Sequence, residues 1–350
     1  MEIFIFAVFF FLSVSISESK NGPKIYQPLL FIVTVFFIVW AGFRTNIWPD
    51  TFGYVWHFVN RTPTIDNFSL SLKNGLYDEK GFFFFASIIR TFSSNPVVYL
   101  MVIAAIGITL IYKGLNKYCV YPLIGMAVYI ARFMFGRHFI QIRSGLAIAV
   151  IFWAMQYITN KEWKKWFFSL FIAYLLHKSA LVALPVYFLY KLKLNKTRIL
   201  IGLAIAFSIA IFFRAPMRSY VQDSTTDMNL GTAYTTGSKN YYKSAEGKGL
   251  ANPMLYYQTV ILLALTFGEK KLRPKTKYYD TLREGYFYST FLLIVLNMFQ
   301  ILSGRTSTIF ATYEILIVPL LIQLFPRNIR YIGFLGVTGI YCAIFYMNYY

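Results

Sequence analysis

Acidic residues are scarce in this chain: 14 Asp and Glu stand against 34 Lys and Arg over 350 residues, a net charge of +20. Cysteine and histidine are scarcer still, with two and three copies. Two cysteines build no disulfide framework, and three histidines are too few for most metal centres. Cys119 and Cys342 sit at or within apolar runs and read as packing residues. A glycine-rich nucleotide loop, a nucleophile elbow and a His/Cys cluster at metal-ligand spacing are all missing, so no metal and no cofactor is expected. No internal repeat is visible, which speaks against a binding site between inverted repeats.

Charge of either sign makes up only 14% of the sequence, whereas 57% is hydrophobic and 20% aromatic, with a mean hydropathy of +0.54. That balance excludes a soluble domain and indicates an all-α polytopic membrane protein. The runs Ile25 to Ala41, Val97 to Ile111, Phe139 to Ile158 and Ile309 to Phe325 are continuous rather than alternating, which excludes a membrane barrel. The run from Ile3 to Ile16 lacks a basic leader and a convincing cleavage site, so it is expected to be a retained first helix.

Lys and Arg accumulate in short cytoplasmic loops. Assigning the cytoplasm to Lys20 and Lys24, Lys113 and Lys117, Lys161 to Lys165, Lys191 to Arg198, Lys270 to Arg283 and Arg327 to Arg330 lets consecutive helices alternate without conflict. About twelve spans are then expected, near residues 3–17, 25–41, 96–112, 120–134, 138–158, 163–176, 178–190, 199–213, 254–268, 285–302, 307–325 and 330–347, forming a single transmembrane domain over 1–350 with both termini outside. A basic cytoplasmic loop occupies 269–284. The apolar stretch 163–190 is broken at its centre by His177 and Lys178, and reading it as one span would invert every later loop. It is therefore expected to be a short hairpin. Each half holds about 14 residues, roughly 21 Å of helix against a hydrocarbon core of about 30 Å, so the tip and His177 should lie below the outer surface.

Two outer loops are long, 42–95 and 214–253. The first contains an apolar segment from Gly81 to Phe92 that is too short to span and is expected at the interface or as a re-entrant piece. Anionic lipid at the cytoplasmic face accounts for most of the lysines, and no nucleic-acid partner is needed. The outer side instead carries arginines: Arg44, Arg132, Arg137, Arg143, Arg214, Arg218 and Arg305. A guanidinium matches phosphate oxygens with two donors and stays charged when desolvated, so this set points to an anionic headgroup, with pyrophosphate the natural candidate. Each arginine taken singly is equally a lipid anchor or the partner of an acid. Arg132, Arg137, His138 and Arg143 are expected to crowd one short outer turn.

Arg44, Asp50 and Tyr54 after the second span, ArgSerGlyLeuAla at 143–147, HisLysSerAla at 177–180, and Arg305 ahead of Tyr313 together resemble the EpsG or Wzy type of bacterial polysaccharide polymerase. The resemblance implies a glycosyltransferase-C-like bundle in the bacterial cytoplasmic membrane. It also implies polymerisation of an exopolysaccharide, capsule or O-antigen on the outer face, by transfer of a glycan from a polyprenyl pyrophosphate carrier onto a lipid-linked oligosaccharide repeat unit. The partners it implies are that lipid-linked oligosaccharide, membrane lipid, a flippase and a chain-length regulator. His177, Asp50 and Arg305 become the expected catalytic residues; Arg44, Tyr54, Glu79, Arg132, Arg137, Arg143 and Tyr313 become the expected substrate-binding set.

The chemistry suits these residue types. A glycosyl pyrophosphate carries a good leaving group, so positive charge on the departing oxygens matters more than a general acid. The acceptor hydroxyl needs a base, for which Asp50, Glu79, His138 and His177 are the outer candidates; a recessed neutral imidazole suits the task, which favours His177. Asp50 alternatively caps a turn, and Glu79 alternatively is a solvated loop charge. Glu314, within a span, is expected to pair internally. A flippase of lipid-linked oligosaccharide and a membrane O-acyltransferase of the same glycans are the competing classes.

Overall fold

The computed structural model describes residues 22–44, 50–69, 79–213 and 249–349, together with Trp48 and a few positions between 6 and 13. Most of the expected span 3–17 and most of the outer loop 214–253, with Arg214 and Arg218, lie outside the described residues. Its elements are helices α1 (Gly22–Gly42), α2 (Thr51–Arg61), α3 (Lys80–Phe92), α4 (Pro96–Tyr118), α5 (Pro122–Ile140), α6 (Ile142–Thr159), α7 (Trp163–Leu176), α8 (Leu184–Leu192), α9 (Lys196–Phe212), α10 (Pro253–Phe267), α11 (Tyr279–Val295), α12 (Gln300–Ala311), α13 (Glu314–Leu321) and α14 (Arg330–Tyr349).

Local signals set several of these starts. Asn95 and Asn252 each precede a proline, and their side-chain oxygens accept the backbone N–H of Val97 at 2.9 Å and of Met254 at 3.0 Å. The asparagine satisfies an orphan donor while proline at the first helical position loses nothing. Asn195 caps α9 in the same way, accepting from the Arg198 N–H at 2.8 Å.

Five described helices are long and apolar enough to cross a membrane, or six if α12 and α13, bent by 51° at Thr312 and Tyr313, count as one broken span. The expected twelve-span count included segments such as α7, α8 and α10, which at 14, 9 and 15 residues are too short to cross a hydrocarbon core unbroken. The chain does reverse at 163–190. His177 is extended, a 3-10 turn runs over Lys178–Ala183, and Phe167 of α7 meets Tyr187 of α8 with ring centroids 5.4 Å apart. α8 thus returns to the end that α7 left.

Two expected turns are corrected. The 120–134 and 138–158 spans were separated by a turn at 135–137, but α5 runs without a break through a π-helical stretch, Ile130–Ile140, and ends at Gln141. Likewise the chain turns at residues 296–299 rather than at 303–306, which puts Arg305 inside α12 instead of ahead of a helix. Partners distant in sequence decide the first case: Glu314 neutralises Arg132, and the Thr308 carbonyl accepts from Arg137, so neither cation marks a helix end.

The loop-rich ends carrying Lys117, Lys161, Lys191 to Arg198 and Lys270 to Arg283 gather at one end of the bundle. Lys117 Nζ donates to Gln156 Oε1 at 2.5 Å, Tyr118 packs on Tyr278, and the Thr159 and Thr281 hydroxyls are 2.7 Å apart. At the opposite end, α2 and α3 form a cap with its own small core of Tyr54, Phe58, Phe82, Phe83, Ile89, Tyr99, Ile142 and Leu146. Phe58 stacks on Tyr99 with centroids 4.1 Å apart. A buried aromatic removes about 150–250 Å² from solvent, so four such rings suffice to hold two short helices on α4 and α6. The segment 81–92 is therefore a helix with one face packed against α4 and α7.

Candidate functional site

The cap brings five of the expected residues into one connected chain. At its centre is Glu79, whose side chain is 5% exposed and which occupies the position just before α3. One carboxylate oxygen accepts from His177 Nδ1 at 2.8 Å, and the other accepts from Arg143 Nη1 at 2.5 Å. Burial pushes the Glu79 carboxyl up, but the His177 hydrogen bond and the Arg143 charge outweigh it and bring it down to about 2. Glu79 is therefore an anion at neutral pH.

With Nδ1 on that carboxylate, His177 makes no hydrogen bond through Nε2 to any described residue. Its side chain is 14% exposed. The imidazole is thus held in one orientation by the Glu79 carboxylate. The close approach that creates this pair depends on Gly81: a Cβ there would lie 2.5 Å from the Cβ and 2.6 Å from the carbonyl oxygen of Leu175 in α7. Only a glycine lets the start of α3 touch the end of α7 two residues before His177.

Arg143, in the first turn of α6, links this pair to α2, its Nε donating to the Tyr54 hydroxyl at 3.4 Å. Burial raises the Tyr54 phenol, so it stays a neutral donor and acceptor. One turn earlier on α2, Thr51 Oγ1 accepts from Arg44 Nε at 3.1 Å. Arg44 also donates through Nη1 to the carbonyl oxygens of His138 at 2.7 Å and Ala41 at 3.3 Å. Its Nη2 is buried with no hydrogen-bond partner among the described residues, and burial lowers its pKa to about 10. A buried guanidinium N–H left unmade is costly, which makes this atom the natural donor for an anion entering the site.

Asp50 stands at the head of α2 in the left-handed conformation, φ 64°, exposed, and close enough for its charge to act on the Tyr54 phenol. Its side chain does not cap the helix. Arg305 is half-buried on α12, the helix that packs against the 178–183 turn and against α6.

Three expected contacts lie elsewhere. Arg132, fully inside α5, pairs through Nε with Glu314 Oε2 at 2.9 Å, and Glu314 also accepts from the Tyr286 hydroxyl at 2.8 Å. Arg137 donates to the Thr308 carbonyl at 2.7 Å and lies over the Phe133 ring. Tyr313 is buried at the bend between α12 and α13, against Phe310 and Phe152. The crowded arginine turn is thus spread out: Arg143 faces the cap, whereas Arg132 and Arg137 belong to the bundle interior. His138 is also inside, 2.7 Å from the Tyr129 hydroxyl through Nε2, and presents only its backbone oxygen to Arg44.

Sequence reasoning placed Glu79 among substrate contacts and passed over Gly81. The signal was an acid pair, Asp78 and Glu79, just ahead of the GlyPhe run in an acid-poor chain. No group of His, Cys, Asp and Glu able to hold a metal ion occurs among the described residues.

The family model described as "EpsG family" matches residues 28–350. No curated protein and no solved structure matches the chain.

Proposed function

The chain belongs to the EpsG family of Wzy-type polysaccharide polymerases, and from that premise we propose that it joins lipid-linked oligosaccharide repeat units at the outer face of the bacterial cytoplasmic membrane, with His177 as the base. The observation that carries the residue assignment is the Glu79 to His177 hydrogen bond of 2.8 Å, which leaves Nε2 as the acceptor nitrogen.

In this reading the acceptor sugar hydroxyl gives its proton to His177 Nε2 as its oxygen bonds the anomeric carbon of the donor. The bond from that carbon to the pyrophosphate oxygen breaks, and polyprenyl pyrophosphate leaves with the bonding electrons. Glu79 stabilises the imidazolium formed in the step, as the buried carboxylate of a catalytic triad does. Arg44 and Arg305 meet the negative charge growing on the departing oxygens. Arg143 acts indirectly, keeping Glu79 ionised and fixed; Tyr54 holds Arg143, and Asp50 meets a sugar hydroxyl at the mouth. Arg132, Arg137 and Tyr313 support the bundle behind the site.

The test is a proteoliposome assay with lipid-linked repeat units already facing outward. A polymerase lengthens them with no translocation step, and chelators leave the rate unchanged. Units that remain single while crossing the bilayer would identify a flippase and overturn the reading.

A further inference from the structure

A concave feature lies at the other end of the molecule, on the lysine-rich side that charge distribution assigns to the cytoplasm. It is a cavity of about 600 Å³ between the turn after α6, the turn after α8 and the segment linking α10 to α11. Its floor includes Ile158, Tyr187, Tyr190 and Leu194; its walls carry Lys161, Lys191, Lys193, Arg273 and Arg283 against Glu269 and Asp280, a net charge of +3. α7, 14 residues or about 21 Å long, separates this cavity from His177, so the two sites do not overlap.

The carboxylates are already used. Arg273 pairs with Glu269 at 2.8 Å and with Asp280 at 2.5 Å, and Arg283 reaches the same two acids at 3.0 and 3.4 Å. Arg283 is almost wholly buried, donates to the Leu194 carbonyl at 2.6 Å, and has its Nε without a partner among the described residues. The excess charge therefore resides on the three lysines, none of which pairs with a described carboxylate. Lys161 and Lys193, both lining the cavity, hold positive φ values of 60° and 47°, two of only three such non-glycine residues described. Three exposed ammonium groups, that of Lys191 4.8 Å from the centroid of the Tyr187 ring, line this cavity and form an anion site of small-molecule size.

We propose that this cavity binds a phosphate-bearing ligand on the cytoplasmic side, its phosphate held by Lys161, Lys191 and Lys193 and its less polar part resting on Tyr187 and Tyr190. A soluble phosphate compound and an anionic phospholipid headgroup share this chemistry. The experiment distinguishes them on the full chain in nanodiscs, comparing wild type with a Lys161→Gln, Lys193→Gln double variant and with a control, Lys113→Gln with Lys164→Gln, that removes two exposed cations of the same end outside the cavity.

Inorganic pyrophosphate, titrated into phosphatidylcholine nanodiscs, tests the soluble source. Native mass spectrometry of protein released from phosphatidylglycerol-containing nanodiscs tests the lipid source. The proposal expects the cavity variant to lose one of these, as pyrophosphate affinity weakened about tenfold or more, or as retained phosphatidylglycerol lost, while the control keeps it. Wild type binding neither probe, or a control as impaired as the cavity variant, would overturn it.

Discussion

Replacing Glu79 with glutamine keeps the size of the side chain and removes its charge. His177 Nδ1 then loses a charge-assisted hydrogen bond of 2.8 Å, worth about 1.5–3 kcal/mol, which by itself predicts a loss of roughly 10- to 100-fold in turnover. A second effect adds to it: the glutamine amide can donate to Nδ1 and so select the tautomer with the proton on Nε2, where the lone pair is needed. Together the two predict a fall in turnover between about 10²- and 10⁴-fold, in line with the cost of the same change in a catalytic triad. Arg143 meanwhile loses its partner at 2.5 Å, so the fold loses about 2–3 kcal/mol locally. The assay is elongation of lipid-linked repeat units in proteoliposomes, read as a ladder, beside a thermal unfolding trace in detergent. Turnover should collapse with KM for the carrier little changed and the protein still folded. Wild-type elongation by folded Glu79→Gln would refute the reasoning.

Other perturbations separate the cap from the bundle interior. Gly81→Ala should cost about 1–3 kcal/mol and lower activity, because its Cβ would fall 2.5 Å from Leu175 Cβ and push α3 off the end of α7; wild-type unfolding and activity would contradict the packing. Glu314→Ala strands the buried Arg132 charge and should destabilise by about 3–5 kcal/mol in a chemical or thermal melt, whereas a joint Arg132→Met, Glu314→Leu change should cost less. The depressed Glu79 carboxyl contributes stability that is complete above its ordinary value of 4.5 and is lost as pH falls through about 2. Glu79→Gln should therefore narrow the stability gap to wild type only over that acid window, and an identical gap at pH 7 and pH 2 would contradict the assignment. Arg44→Lys keeps the charge but not the fork that spans Thr51 and the His138 carbonyl, and should slow turnover more than it weakens carrier binding; unchanged turnover with weakened binding would contradict its role at the departing oxygens.

Features carried by local pattern were legible in the sequence. The polar pair His177 and Lys178 inside a long apolar stretch located the reversal of 163–190, and the basic loops identified ends that the structure gathers together. What was not legible depends on contacts across long sequence distances. Nothing near His177 announces a carboxylate 98 residues earlier, and nothing near Arg132 announces Glu314, so an arginine that is internally paired was placed in an exposed turn. The same blindness set the helix ends. α5 continues through Arg132, Arg137 and His138 because each finds a partner inside the bundle, and a charge that is satisfied no longer marks a boundary. The cap helix α2 escaped because its apolar face is short, and α2 and α3 acquire stability only by closing together on Tyr99 and Ile142.

The central claim is that a carboxylate-oriented imidazole removes the acceptor proton during glycan transfer. Elongation by His177→Gln in proteoliposomes supplied with outward-facing repeat units tests it most directly. The account predicts folded protein that still binds the carrier yet leaves single repeat units unjoined. Long polymer made by His177→Gln at the wild-type rate would contradict it.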